Sequence, residues 1–377
     1  MMTWIYSISA FLIAWGMARL LLPAIIRLAR RYRLYDQPNE RKVHTTPVSS
    51  LGGIALFMAC WGGVALLSDA TTAGEWKWIF AGALLMFGTG LADDLLDLPA
   101  WQRLIIQWFA ASCLYFGGWQ VQWLEGLLHM GVIPDIVEYG ISVFIVMLLV
   151  NAWNLIDGVN GLAGSLALLA CTIYGGLFLI IGATTEALIA LGMAGALLAF
   201  LSFNFGYRAR IFMGDNGATV IGFSMAAFAM RLCNLDLSAY HWHLSHSIIL
   251  AMCLQLIPVI DLVKVATLRV LQGRSPFHAD KTHIHHLLLE LGMSHPGIAV
   301  LLTGYTGLVF ICTFTALLYL PAEGVLPLLL AFGLVPYVAI AWRKKAIPAH
   351  ARHRYQRRPH VWAAGEREWP LVVKGEE

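Results

Sequence analysis

LLMFGTGLADDLLDLPAW, residues 84–101, runs an apolar stretch straight into three carboxylates, Asp93, Asp94 and Asp97, before a proline interrupts it. The chain around it is 59% hydrophobic and only 12% charged, with a mean hydropathy of +0.70, which excludes an ordinary soluble core. In such a chain an ionisable group at the end of a membrane-length run is costly to place and is a functional candidate by default.

Apolar runs near the roughly 20 residues that cross a bilayer recur along the sequence. They predict an all-α, polytopic membrane protein with about eleven spans of that length. The runs lie near residues 4–26, 50–68, 77–92, 103–118, 139–156, 161–181, 184–203, 216–232, 245–271, 297–320 and 324–342. Arg27, Arg30, Arg31, Arg33, Arg41 and Lys42 follow the first run, and Arg343, Lys344, Lys345, Arg352, Arg354, Arg357 and Arg358 follow the last. Residues 119–138 and 233–244 carry no Lys or Arg. Basic connections stay in the cytosol, so the N-terminus is expected outside and the C-terminus inside. The first run has neither a basic leader nor a small-residue cleavage site and reads as a retained anchor. The six cysteines form no CxxC pair and read as small packing residues. With no repeat or linker, the simplest parse is one membrane domain over 1–342 and a basic cytosolic tail over 343–377. The net charge of +3 sits in segments that face anionic lipid and does not point to nucleic acid.

Threading the runs in and out puts residues 93–101, 157–161, 204–217 and 273–296 on the cytosolic side, so every acid-rich or histidine-rich motif falls at one membrane face. In LADDLLDLP, Asp97 is four residues from Asp93 and three from Asp94, spacings that share a helical face. A solvated acidic helix end has the same spacing, but like charges this close raise one another's pKa unless a cation neutralises them, which suits a divalent metal or proton handling. In NAWNLIDGVNGLAG (151–164), Asn151, Asn154 and Asp157 line one face in three-residue steps, either for chemistry or to bind neighbouring helices. In FNFGYRARIFMGDNGATVIGF (203–223), Asp215 can ligate a metal from a tight turn or cap the next helix.

GRSPFHADKTHIHHLLLELG (273–292) gathers Arg274, His283, His285 and His286 without a companion cysteine, which disfavours zinc and suits a phosphate-bearing ligand. Asp280 or Thr282 is expected to cap a short helix whose Ile284, Leu287, Leu288 and Leu291 lie on the membrane surface. Asp261 and Lys264, i,i+3 partners within a span, are expected to form an ion pair.

From RKVHTTPVSSLGG (41–53) to HIHHLLLELG (283–292), the ordered motifs resemble the polyprenyl-phosphate N-acetylhexosamine-1-phosphate transferases, the family that includes MraY and WecA. The HIHH form is similar to the WecA branch. The resemblance implies a Mg²⁺-dependent enzyme, with Mn²⁺ as a substitute, in the bacterial inner membrane. Such an enzyme moves N-acetylglucosamine-1-phosphate from a UDP-sugar to undecaprenyl phosphate and releases UMP, opening envelope polysaccharide synthesis. Catalytic roles are implied for Asp93, Asp94 and Asp157, and metal binding for Asp215 with Asp94. Substrate contacts are expected from Lys42, His44, Asn151, Asn154, Asn160, Arg274, His283, His285 and His286. A homodimer is compatible with the resemblance. Asn160 departs from the aspartate that many members carry, Ser49 and Ser50 replace a frequent Pro-Arg pair, and Asn216 and Ala218 replace a common Ala and Ser.

The chemistry is economical in protein groups. Mg²⁺ takes one or two carboxylates and completes its shell with water and substrate phosphate. A lipid phosphate monoester, with a second pKa of about 6, is already mostly dianionic at neutral pH, so positioning and charge neutralisation carry most of the rate. The acceptor oxygen attacks the β-phosphorus directly, with Asp93 taking any residual proton, or Asp157 acts first as a nucleophile. Another UDP-N-acetylhexosamine donor is the alternative within the family. The alternative of a different class is a proton-coupled transporter, whose relay would place acids at the midplane and not at loop boundaries.

Overall fold

The computed structural model describes residues 2–34, 48–68, 73–121, 133–206, 208–235, 244–275 and 282–346. Lys42, His44, Asp280 and the tail beyond residue 346 lie outside the described residues. The described residues form twelve helices: α1 Met2–Tyr32, α2 Gly52–Leu67, α3 Ala73–Leu96, α4 Ala100–Phe116, α5 Asp135–Ile156, α6 Leu162–Ile181, α7 Thr184–Asn204, α8 Asp215–Asn234, α9 Leu244–Leu271, α10 Ile284–Glu290, α11 His295–Leu317 and α12 Ala322–Ala346. In hydrocarbon the backbone must satisfy its own polar groups, and a helix does so within one segment.

All eleven predicted runs are helical, and among the described residues α10 is the one helix outside them. Eight of the helices are long and apolar enough to cross a bilayer, which makes this a multi-pass membrane protein. The apolar α2 has only 16 residues and α4 only 17. Although α8 has 20 residues, it is less apolar than its neighbours because it lies inside the bundle, where nearly every side chain touches protein.

The centre of the bundle is α7 and α8. Small residues on both let their partners approach closely, the usual basis of helix association in lipid. Gly195 of α7 meets the main chain of Phe11 on α1, and Gly222 of α8 meets Val150 and Trp153 on α5. Around them the largest fully buried side chains include Trp153, Tyr174, Phe178, Phe200, Phe223 and Phe228.

The first turn of α8 is gripped from two sides. Gly90 of α3 and Gly53 of α2 lie so near it that a Cβ on either would strike the main chain at Asp215–Asn216 or Gly217. The segment before α2 is also tied to the segment before α8, through Phe212 N to Ser49 O at 2.8 Å, Gly52 N to Phe212 O at 3.0 Å and Gly53 N to Met213 O at 2.9 Å.

Two expectations about helix ends are corrected. Asp97 does not share a helical face with Asp93 and Asp94, because α3 stops at Leu96 and Asp97 adopts a φ of 54°. Pro99 follows two residues later and cannot continue a helix. At the other end of the chain, α12 runs past residue 342 and carries Arg343, Lys344 and Lys345 in its last turn.

Replacing Gly90 by Ala should lower the midpoint of thermal unfolding in detergent, since overpacking costs about 1–3 kcal/mol. Gly88, with nothing within 4 Å of its Cβ position, should accept Ala with a midpoint at or above that of the parent.

Candidate active site

Asp94 organises the site by holding the start of another helix. Its Oδ1 accepts from Asp215 N at 3.1 Å, and its Oδ2 accepts from Asn216 N at 2.9 Å and from Asn216 Nδ2. The first amides of a helix have no partner inside it and favour a nearby anion. Here the N-cap of α8 is Gly214, which has no side chain, so the carboxylate comes from α3. Asp215 is therefore not the cap, as one sequence reading allowed, and its own carboxylate is turned elsewhere. Asn216 is fully buried and also donates from Nδ2 to Ser50 O at 2.8 Å, which joins α2 to the same turn.

Asp215 Oδ1 accepts from Asn154 Nδ2 at 3.0 Å, and Asp215 Oδ2 lies 3.8 Å from Arg103 Nη1. Asp93, nearly buried, receives Arg103 Nη1 at 2.7 Å and Leu98 N at 2.8 Å. Arg103 joins this cluster at the cavity, and sequence reasoning did not single it out. The available signal was a lone cation near the start of an apolar run, ten residues after Asp93 and six after Asp97, where charge is expensive.

These groups line a cavity of 880 Å³ together with Ser50, Asp97, Asp157, Asn160, Asn204, Phe212, His286 and His295. That volume lies within the roughly 300–1,000 Å³ of small-molecule sites. The walls come from the ends of α3, α5 and α7 and the starts of α4, α8 and α11, so the motifs meet at one end of the bundle. Asp157, the C-cap of α5, has its pKa held well above the usual carboxylate range by burial first and then by the charges of Asp215 and Asp94. Asn160 donates from its backbone N to His295 Nδ1 at 3.3 Å and from Nδ2 to Gly206 O at 3.4 Å. Asn204, also absent from the sequence reading, fixes this corner by accepting from Gly161 N at 2.7 Å and donating to Ile211 O at 2.9 Å.

Residues 76–233 match the family described as "Glycosyl transferase family 4". The chain is 33% identical over 322 residues to the "Decaprenyl-phosphate N-acetylglucosaminephosphotransferase" of Mycobacterium tuberculosis, covering 78% of this chain and 79% of that one. It is 28% identical over 361 residues to the "Undecaprenyl-phosphate alpha-N-acetylglucosaminyl 1-phosphate transferase" of Salmonella typhimurium, covering 89% and 93%. The chain belongs to the polyprenyl-phosphate N-acetylhexosamine-1-phosphate transferase family.

In this member of the family the apolar side of the histidine segment, expected to face the membrane surface, is docked on the bundle. Ile284 and Leu288 are buried against the bundle, and Leu287 and Leu291 pack beside them. The helix has no side-chain cap of its own and its N-cap is His283. Asp261 of α9 serves instead, accepting from Ile284 N at 2.7 Å, His283 Nδ1 at 2.8 Å and Tyr337 Oη at 2.7 Å. The expected Asp261–Lys264 pair is thus replaced. Lys264 donates to Thr282 O at 2.7 Å and lies over the Tyr337 ring. A carboxylate sunk in a span finds more compensation in three donors than in one flexible ammonium.

Only His286 of the three named histidines lines the cavity. His283 and His285 are buried with their rings parallel, and burial, reinforced by His286, pushes the His285 pKa down to about 3. Arg274 is exposed beyond the end of α9 and away from the cavity lining. Asn151 faces α4, donating to Gln107 Oε1 at 2.8 Å and to Met147 O at 2.7 Å, so it binds neighbouring helices as the second reading of its motif allowed.

Asp261→Ala would strand the His283 and Ile284 donors inside the protein, a loss of about 1–3 kcal/mol. Tyr337→Phe removes one donor and should cost less, about 1 kcal/mol. Unfolding in mixed micelles, with the two variants compared, checks that order.

Proposed function

We propose that this protein transfers N-acetylglucosamine-1-phosphate from UDP-N-acetylglucosamine to undecaprenyl phosphate at the cytosolic face of the bacterial inner membrane, releasing UMP. The observation that carries this reading is the convergence of Asp93, Asp94, Asp157 and Asp215 with Arg103 on one cavity at the helix ends. Relatives over most of the chain are named for this transfer to a polyprenyl phosphate. A proton relay would leave its acids at the bilayer centre, and this cluster does not.

The donor set fits a hard dication. Asp215 and Asp157 offer oxygen ligands whose mutual repulsion a divalent charge would relieve. Mg²⁺ needs only one or two protein carboxylates, because water and substrate phosphate complete its shell. Asp215 would hold Mg²⁺, and Asp94, whose oxygens face the α8 amides, would lend charge and fix Asp215 in place. When bound, the ion would neutralise the diphosphate of the donor.

The protein's own groups supply positioning. With Asp93 holding it by one Nη, the Arg103 guanidinium is directed toward Asp215 and the space where a phosphate would sit. Asp93 accepts one hydrogen bond on each oxygen and so holds Arg103, while the acceptor, already mostly a dianion, needs little base to act as nucleophile. The acceptor oxygen bonds to the β-phosphorus, the bond from that phosphorus to the bridging oxygen breaks, and its electron pair leaves with UMP.

An apolar groove of 620 Å³ supports a lipid acceptor. It is lined along α9 from Ile248 to Leu268, with Ala229 and Met230 of α8 and Leu330 and Leu334 of α12. Twenty helical residues cover about 30 Å, the thickness of the hydrocarbon core. Lys264, near one end of this groove, holds the histidine segment that reaches the catalytic cavity through His286. Lys344 at the basic end of α12 pairs with Glu290 of α10 at 2.5 Å, so positive charge gathers at the same end, as the cytosolic side requires.

Purified protein given UDP-N-acetylglucosamine, undecaprenyl phosphate and Mg²⁺ should release UMP and form a lipid of the corresponding mass. Asp215→Ala should lower that rate by about 10²-fold or more. Failure of every UDP-sugar in a donor panel would refute the reading, and a product from another N-acetylhexosamine alone would move the donor.

A further inference from the structure

Arg19 has no part in that chemistry, yet it lies within the first membrane span, where a charge demands a reason. It follows Leu12 and Trp15 at helical spacings of seven and four, and those side chains are 56% and 41% exposed on the bundle surface. Arg19 therefore continues a lipid-facing stripe, and Leu20 beside it is 78% exposed. Its Nη1 donates to Ser202 Oγ at 2.7 Å, two residues before α7 ends and at the same end of the bundle as the catalytic cavity.

A second guanidinium shares the spot. The Arg19 Cζ is 5.4 Å from the centroid of the Phe203 ring, and the Arg210 Cζ is 4.3 Å from the same centroid. Neither arginine meets a carboxylate among the described residues. Both distances are within cation–π range, so one ring holds two exposed guanidiniums at this end of the bundle, and the guanidinium fork is the shape that takes a phosphate by two hydrogen bonds.

We propose that Arg19 and Arg210, with Phe203 between α1 and the segment before α8, bind the phosphate of an anionic phospholipid. The lipid source follows from the surroundings. Arg19 is approached past Leu12, Trp15 and Leu198, which are apolar and exposed, so acyl chains can lie where a soluble phosphate would find no water. The site also touches catalysis from outside. Arg210 N donates to Phe203 O at 2.8 Å, the next residue is held by Asn204, and Asp215 follows four residues later. A bound headgroup would brace the segment that delivers the carboxylate.

Native mass spectrometry of the full chain, titrated with phosphatidylglycerol or phosphatidylcholine, tests the binding without any assay of turnover. The wild type should retain phosphatidylglycerol in preference to phosphatidylcholine. Arg19→Gln and Arg210→Gln should each weaken that retention about fivefold, the worth of one basic residue beside an anionic surface, and Arg19→Lys should recover only part of it, since an ammonium keeps the charge and loses the fork. If Arg19→Gln does not fold, Arg210→Gln carries the same expectation. Equal retention of both lipids, equal retention by wild type and glutamine variants, or displacement of the lipid by inorganic phosphate would each overturn the assignment. Loss of transferase activity in every protein would refute the catalytic reading and leave this result standing.

Discussion

The carboxylate of Asp94 against the first amides of α8 is the constraint from which the rest of the site follows. A buried helix start needs acceptors, and Gly214 provides none from a side chain. Supplying the acceptor from α3 fixes the distance and rotation between two helices at the depth where chemistry must occur. Because Asp94 does the capping, Asp215 is free to turn toward Asn154 and Arg103. Gly90 and Gly53 serve the same end, since only bare backbone lets α2 and α3 approach that turn closely enough.

A second carboxylate repeats the device at the other wall. Asp261 reaches out of α9 to the start of α10 and sets the histidine segment beside the cavity. Both acids hold helix starts that belong to other parts of the chain, and in both cases the held segment presents a group to the cavity, Asp215 in one and His286 in the other. The site is thus made of short polar segments pinned by acids that rise from membrane helices. This arrangement suits the proposed transfer, in which a water-soluble diphosphate and an insoluble isoprenoid would be served from one end of the bundle.

Much of this was legible in the sequence, and the failures share one cause. Apolar run length located every long helix among the described residues, because lipid leaves the backbone few alternatives. The four motifs announced themselves because charge is sparse in such a chain. What spacing did not reveal was which partner each polar group would take. Asp261 and Lys264 are three residues apart and looked like a pair, yet each found a better partner in the histidine segment. Asp93, Asp94 and Asp97 looked like one face, but Pro99 ended the helix between them. Arg103 was hidden because it reads as the edge of an apolar run, and its meeting with Asp93 depends on the turn at residues 97–99. Local periodicity predicts elements, whereas long-range hydrogen bonding decides roles.

The central claim is that carboxylates from separate helices share a divalent ion with the donor's diphosphate. Binding of Mn²⁺ followed by electron paramagnetic resonance, with UDP present, tests it most directly. The account predicts one bound Mn²⁺ per chain whose affinity rises with UDP and falls sharply in Asp215→Asn. Affinity unchanged by that substitution, or indifferent to UDP, would contradict it.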